Sequence, residues 1–148
     1  LQTKGYNTLM IRDGDYFIDK YDRPKIANKI QADIYISIHA NAVEENPNVS
    51  GIEILYCLTD SKMLNRRNNY ELAKTISEEL INNLEANDRG LVKASNTVVL
   101  RDTKMPAILI EVGFLTNPIE EKLIQDEDYQ EKMVESIIIG IEKYFCIY

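Results

Sequence analysis

Tryptophan is absent from this chain of 148 residues, histidine occurs once and cysteine twice. Cys57 and Cys146 are too few and too far apart for a CxxC metal or redox motif, and read as two unpaired thiols. No apolar run approaches the roughly 18 to 20 residues that a membrane span needs. The longest, "SIIIGI" at 136–141, sits among charged neighbours and reads as one side of a helix. Basic charge is also scarce: 17 Lys and Arg face 24 Asp and Glu, a net charge of −7, and "NRRN" is the densest basic cluster. Binding to a nucleic-acid backbone needs a clustered basic footprint, so this balance argues against nucleic acid as the main partner. The chain opens on Leu without a basic-then-apolar leader, which predicts a processed or excised piece of a longer protein.

Hydrophobic side chains are not scarce. At 45% apolar and 28% charged the composition is that of a folded domain, not a disordered tail. The length predicts a single domain over 1–148 whose core needs neither disulfide nor metal staples.

The periodicities alternate between strand and helix. "LQTK" reads as the tail of a helix capped by Gly5, and "YNTLMIR" (6–12) as a short strand, followed by the turn signal "DGD". From Asp22 the period changes. Asp22 can cap, Pro24 suits a first turn, and Ile26, Ala27 and Ile30 share a helical face. In "DIYISIHANA" (33–42) Ile34, Ile36 and Ile38 point one way and Tyr35, Ser37 and His39 the other, as in a strand. A polar loop, "NAVEENPNVS", leads to a second strand, "GIEILYC" (51–57). Residues 61–87 read as helix, with Tyr70, Ala73, Ile76, Leu80 and Leu84 at spacings of three and four.

"NTVVL" (96–100) reads as a short strand. "PAILIEV" (106–112) is almost continuously apolar, the pattern of a strand covered on both faces. In "TNPIEEKL", Asn117 suits an N-cap, Pro118 the N1 position and Glu120 the N3 position. A last helix is predicted from about Tyr129, with Met133, Ile137, Ile141 and Phe145 on one face. The expected fold is a layered α/β domain with a mixed or mostly parallel sheet flanked by helices.

Sites in open α/β sheets lie beyond the carboxyl ends of the strands. One strand ends in His39, followed by Asn41; another carries Glu111 inside an otherwise apolar run. An unpaired buried carboxylate is expensive, and Glu111 has no neighbouring Lys or Arg in its own segment. His39 alone reads equally well as a ligand and as a strand-end histidine bonded to a loop carbonyl. Taken together the two suggest an imidazole that holds a metal and a carboxylate that moves protons.

Four segments then carry a resemblance: "MIRDGDYFIDKYDRPKIAN", "ADIYISIHANA", "GIEILYC" and "VVLRDTKMPAILIEVGFLTNPIEEKLI". In this order, over nearly the whole chain, they resemble the zinc-dependent N-acetylmuramoyl-L-alanine amidases of the Amidase_3 type. Those enzymes cut peptidoglycan between the lactyl group of the sugar and the first alanine of the stem peptide. The resemblance implies that His39 is a zinc ligand and Glu111 the catalytic glutamate. Asn41 and Arg101 become candidates for positioning substrate, with loop capping and a surface role as the alternatives. Arg23 reads as bracing the start of its helix. The family pattern places two further zinc ligands, a histidine and a glutamate, on a strand and helix ahead of anything in this chain. No residue here matches them, and nothing in the spacing of Glu44 or Glu53 recommends either as a substitute.

The expectation is therefore the greater part of an amidase catalytic domain. A non-catalytic relative that binds peptidoglycan or a partner protein is the alternative, and a generic α/β interaction domain a weaker one. The amidase reading places the parent protein outside the inner membrane, in the cell wall, periplasm or spore compartment. An activating protein or wall-binding domain is expected to supply its targeting.

Overall fold

The structure, a computed structural model, describes residues 1–58 and 68–146. A single 3-10 turn, Gln2–Lys4, opens it and ends at Gly5 in the left-handed region, φ 85°. Helix α1 spans Asp22–Lys29, strand β1 Tyr35–Asn41 and strand β2 Ile52–Tyr56. Helix α2 (Asn69–Leu84), strand β3 (Asp88–Lys93) and the single turn α3 (Val98–Arg101) follow. Strand β4 (Ala107–Phe114) leads into α4 (Pro118–Gln125) and α5 (Glu127–Cys146).

The sheet order is β1-β4-β2-β3. β4 runs parallel to β1 and antiparallel to β2, and β2 runs parallel to β3, so the sheet is mixed, as expected. β4 is an inner strand, and every residue of it is buried except the half-buried Glu111. This is the physical content of its continuous apolar run.

Alternation divides the sheet into two faces. Ile52, Ile54, Tyr56, Ile108, Ile110 and Val112 turn towards α2 and α5, where they meet Leu72, Ile76, Leu80, Met133, Ile137 and Ile141 in the larger core. Tyr35, Ala107 and Leu109 turn the other way and pack with Ala27, Val99, Leu100 and Met105 in a smaller one. At about 25 cal/mol per Å² of buried apolar surface, the larger core dominates the stability.

Asparagines cap the starts of α2 and α4, whereas Asp22, expected to cap, is the first residue of α1, and the cap position before it, Tyr21, makes no side-chain cap hydrogen bond. Asn68 accepts a hydrogen bond from the Glu71 amide at 2.9 Å at the start of α2. Asn117 accepts from the amides of Ile119 (3.0 Å) and Glu120 (3.3 Å) at the start of α4, with Pro118 following it. The buried Asn69 donates to the Cys57 carbonyl (2.7 Å) and accepts from the Ala107 amide (2.9 Å), tying the end of β2 to the start of β4.

Other expectations are corrected as well. Residues 6–12 form no strand; they are irregular chain, in which Tyr6 stacks on Phe145 of α5 and Ile11 packs against the smaller core. "NTVVL" is not a strand. Its valines belong to the turn α3, whose geometry lets Val99 and Leu100 reach the smaller core together. An unpredicted strand, β3, has exposed ends and no apolar alternation, and exists because β2 offers it a partner. Ile38 shares the side of Ile34 and Ile36 by alternation, as expected, yet it is not packed against the larger core and stays 55% exposed near the end of an edge strand. The helix expected over 61–87 is α2, and residues 61–67 of that span lie outside the described residues. The final helix begins slightly early, at Glu127. Both cysteines are free, as expected.

Candidate active site

Because β1 and β4 are parallel, their carboxyl ends coincide. Tyr35 lies beside Ala107, Ser37 beside Leu109 and His39 beside Glu111, all on the face of the smaller core. Proceeding along that face, the side chains change from apolar to polar, and His39 and Glu111 are where the change is complete. On the other side β2 runs in reverse and sets Glu53 opposite Glu111. Glu111 therefore stands between an imidazole and a second carboxylate, a juxtaposition that only strand register can create.

Glu111 Oε2 is buried without a hydrogen-bond partner among the described residues. Burial pushes the carboxyl's pKa above its ordinary value, and the neighbouring Glu53 pushes it the same way. The site thus favours a carboxyl that keeps its proton longer than a free one. His39 is shifted oppositely. Partial burial, then the charges of Arg23 and Arg12, lower its pKa and favour the neutral ring, although much of the ring's surface remains exposed. His39 Nε2 and Ser37 Oγ are hydrogen-bonded at 2.9 Å.

Glu53 is held from two directions. It accepts from Asn41 Nδ2 at 3.1 Å and pairs with Arg89 Nε at 3.4 Å, while the Arg89 guanidinium lies 4.9 Å from the centre of the Phe114 ring. Asn41 is also bound through Oδ1, which accepts from the Ala42 amide at 2.8 Å. Both ends of this amide are used within the protein, which is the loop-capping arrangement. Arg101 forms a two-point pair with Asp102, at 2.7 and 3.1 Å, on the exposed end of α3. The structure thus gathers His39, Glu111 and Asn41, whereas no described contact links Arg101 to them.

A clasp at the start of α4 fixes this end of the sheet. Glu120 accepts from the Gly51 amide (2.7 Å) and the Phe114 amide (2.8 Å), joining the chain before β2 to the last residue of β4. Asn117 donates to the Val49 carbonyl at 3.2 Å, and Thr116 Oγ1 accepts from the Val43 amide at 3.0 Å. Gly113, at φ 147°, makes room for the clasp: a Cβ there would lie 3.3 Å from Glu120 Oε2 and 3.1 Å from Ile124. The sequence offers Glu53 only as a ligand substitute that nothing recommends, and Glu120 only as an N3 residue; their places beside Glu111 and in the clasp come from the structure. The alternation of "GIEIL" does put Glu53 on the face opposite Ile52 and Ile54; that it meets Glu111 needs the pairing.

The donor set fits zinc only in part. His39 presents a neutral imidazole beside a carboxyl that lacks a partner, but no group of three His, Cys, Asp or Glu among the described residues could hold a metal ion. A catalytic zinc takes three protein ligands, so these residues do not complete a site by themselves.

Comparison with known proteins supplies the family. The sequence profile of the N-acetylmuramoyl-L-alanine amidases, Amidase_3, matches residues 1–143. An uncharacterized Bacillus subtilis protein, YqiI, is 34% identical over 145 residues, 98% of this chain and 67% of its own length. The crystal structure of an N-acetylmuramoyl-L-alanine amidase from Clostridium difficile 630 superposes with a TM-score of 0.84 at 38% identity, covering 91% of this chain and 69% of that one. The CwlD amidase of Clostridioides difficile, solved in complex with the GerS lipoprotein, gives 0.76 at 35% identity, over 86% of this chain and 61% of that one. On profile, sequence and fold together, the chain belongs to the N-acetylmuramoyl-L-alanine amidase family of the Amidase_3 type.

Proposed function

We propose that this domain hydrolyses the amide bond between the lactyl group of N-acetylmuramic acid and the first L-alanine of the peptidoglycan stem peptide. Glu111 is the proton carrier and His39 a zinc ligand. The observation that supports this most directly is the parallel register of β1 and β4, which sets a half-buried carboxyl without a partner beside a neutral imidazole in a chain of this family.

The charge states suit the roles. A carboxyl with a raised pKa can take a proton from water and return it to a departing amine nearer neutral pH than an ordinary glutamate can, and such transfer is worth about 10²- to 10⁴-fold in rate. A neutral ring keeps a lone pair for a metal. Zinc, when bound, supplies Lewis-acid polarisation of the scissile carbonyl and of the attacking water. Of the described residues, His39 is the one proposed as a ligand, and no group of three donors stands with it. Asn41 acts by holding Glu53 and shaping the loop after β1. Arg101, paired with Asp102 through Nε and one terminal nitrogen and linked by no described contact to His39 or Glu111, has the weakest claim to a substrate role.

A peptidoglycan substrate places the action outside the cytoplasm. No helix among the described residues is long and apolar enough to cross a membrane. With a net charge of −7 the domain has no global attraction to an anionic wall, which supports targeting by an activating protein or a wall-binding domain. The lipoprotein complex of the related CwlD amidase is a precedent for the former.

The incomplete ligand set favours one second reading, a relative that binds muropeptides without cleaving them. Purified peptidoglycan, incubated with the protein and zinc, distinguishes the two. Amidase action releases stem peptides with a free N-terminal alanine, detected by mass and amine labelling, and elemental analysis finds close to one zinc per chain, lost on His39→Ala. Retention on the wall with no peptide released and no bound zinc would establish the second reading.

A further inference from the structure

Arg89 is set apart from its strand by a bulge. Between β2 and β3 the partner of Ile52 is Asp88, but the partner of Glu53 is Gly90, so Arg89 is an extra residue in the ladder. Gly90 completes the bulge in the left-handed region, φ 82°, with its amide donating to Asp88 Oδ1 at 2.8 Å. Bulges re-aim side chains, and from this one Arg89 reaches inward across the sheet. Its stem lies against Gly51, where a Cβ would come within 2.9 Å of Arg89 Cγ. Its Nη1 donates to the Ser50 carbonyl at 3.3 Å, and its guanidinium covers the ring of Phe114, the last residue of β4.

What Arg89 grips is Glu53. Glu53 Oε2 accepts from Arg89 Nε at 3.4 Å, and Oε1 accepts from Asn41 Nδ2 at 3.1 Å. Asn41 belongs to β1 and Glu53 to β2, with β4 between them, so their backbones are about 10 Å apart, two strand spacings. Side chains that meet across that gap lie over β4, at the end that carries Glu111. The Glu53 carboxylate is thus drawn out beside the candidate site, with one donor on each oxygen. Among the described residues Arg89 is the one cation paired with it.

A carboxylate held at both oxygens stays in place, whereas one held by Asn41 alone can turn about that bond. The space it would turn into lies beside Glu111, its cross-strand neighbour, whose Oε2 has no described partner; His39 is next in line. Cross-strand neighbours have Cβ atoms about 4.5–5.5 Å apart, within reach of a glutamate side chain. We propose that Arg89 is a positioning residue: it holds the Glu53 carboxylate against Asn41 and out of the space between His39 and Glu111, where the reacting groups must fit. The identity of the reaction rests on the amidase reading; the restraint itself does not.

His39 is the only histidine in the sequence, so its imidazole is a spectroscopic reporter free of overlap from other rings. Nitrogen NMR of that ring, at one fixed pH, compares the unsubstituted protein with Arg89→Ala, Glu53→Ala and the double variant. Arg89→Ala should move the ring resonances, and should move them far less where Glu53 is already alanine. Arg89→Lys, which keeps the charge without the planar guanidinium, should fall between the two. In peptide release from walls, Arg89→Ala should lower kcat about ten- to a hundredfold with KM changed by less than about twofold. Adding Glu53→Ala should then restore most of that loss. A ring undisturbed by Arg89→Ala, or equally disturbed with and without Glu53, would overturn the restraint. So would a loss of activity that follows the melting temperature and is not relieved by Glu53→Ala. Failure of the amidase reading shows itself separately, as absence of peptide release by the unsubstituted protein, and the imidazole comparison still decides the role of Arg89.

Discussion

The two faces of the sheet share a backbone but not a purpose. Ile110 and Glu111 are adjacent in sequence: one is completely buried between β4 and the helices α2 and α5, the other stands half-buried between His39 and Glu53. The helix-covered face is continuous, dry and built from branched aliphatic side chains. The opposite face has a small core near the start of β1 and β4 and gives it up towards their carboxyl ends, where polar groups collect. On the proposed reading of Glu111, stability and chemistry are separated by a single residue step, because successive side chains on a strand point to opposite sides.

Substitutions on either side should therefore have separable effects. The largest is expected at Glu111→Gln, which should lower stem-peptide release by about 10²- to 10⁴-fold while leaving the circular dichroism spectrum and melting cooperativity intact. A comparable loss of structure would make the carboxyl part of the scaffold and erase the distinction. Next in size is Ile110→Ala, expected to cost about 2–5 kcal/mol in denaturant unfolding, with little change in the activity of the fraction that remains folded.

Gly140 sharpens the picture of the dry face. It lies in α5 where a Cβ would come within 2.6 Å of Ile76 Cα and 3.0 Å of the Ile76 amide nitrogen, backbone atoms that cannot step aside. Gly140→Ala should destabilise by about 1–3 kcal/mol through overpacking. The gain in helix propensity, about 1 kcal/mol at most, acts in the other direction and should lose. A stabilised variant would mean that α2 and α5 are further apart than described.

The smallest effect concerns protonation. Glu111 has a raised pKa in the fold, so its contribution to stability is fully present below the unfolded carboxyl's pKa and is lost as pH rises through the folded value. Glu111→Gln should remove that decline from a plot of melting temperature against pH. Glu53→Gln removes the like charge opposite and should move the acid limb of the activity profile to lower pH, with burial still holding it above that of an ordinary glutamate. An unmoved limb would show that burial alone sets the proton affinity of Glu111.

Legibility in the sequence followed the same division. β4 was legible because burial on both faces leaves no polar residue but one, and that one, Glu111, stood out for the same reason. α4 was legible from Asn117 and Pro118, whose roles are local. β3 was not, since "DRGLVK" has neither alternation nor apolar run and depends on β2 for its existence. "NTVVL" misled because β-branched residues favour strands on average, while here two of five side chains had to reach one core from one turn. Glu53 and the clasp at Glu120 depend on pairings between distant segments, which no local pattern encodes.

The position of β4 has a consequence for how the site comes into being. β4 is last of the strands in sequence yet lies between β1 and β2, so every ladder it forms closes a long loop of chain. Such contacts are slow to form because chain entropy is spent before they return anything. β2, α2 and β3 are contiguous and can assemble early. His39 and Glu111 meet only when β4 is inserted, and the Glu120 clasp can engage only after that. On this order of events the proposed site is the last thing the fold acquires, and a partly folded chain, however helical, does not yet bring His39 and Glu111 together.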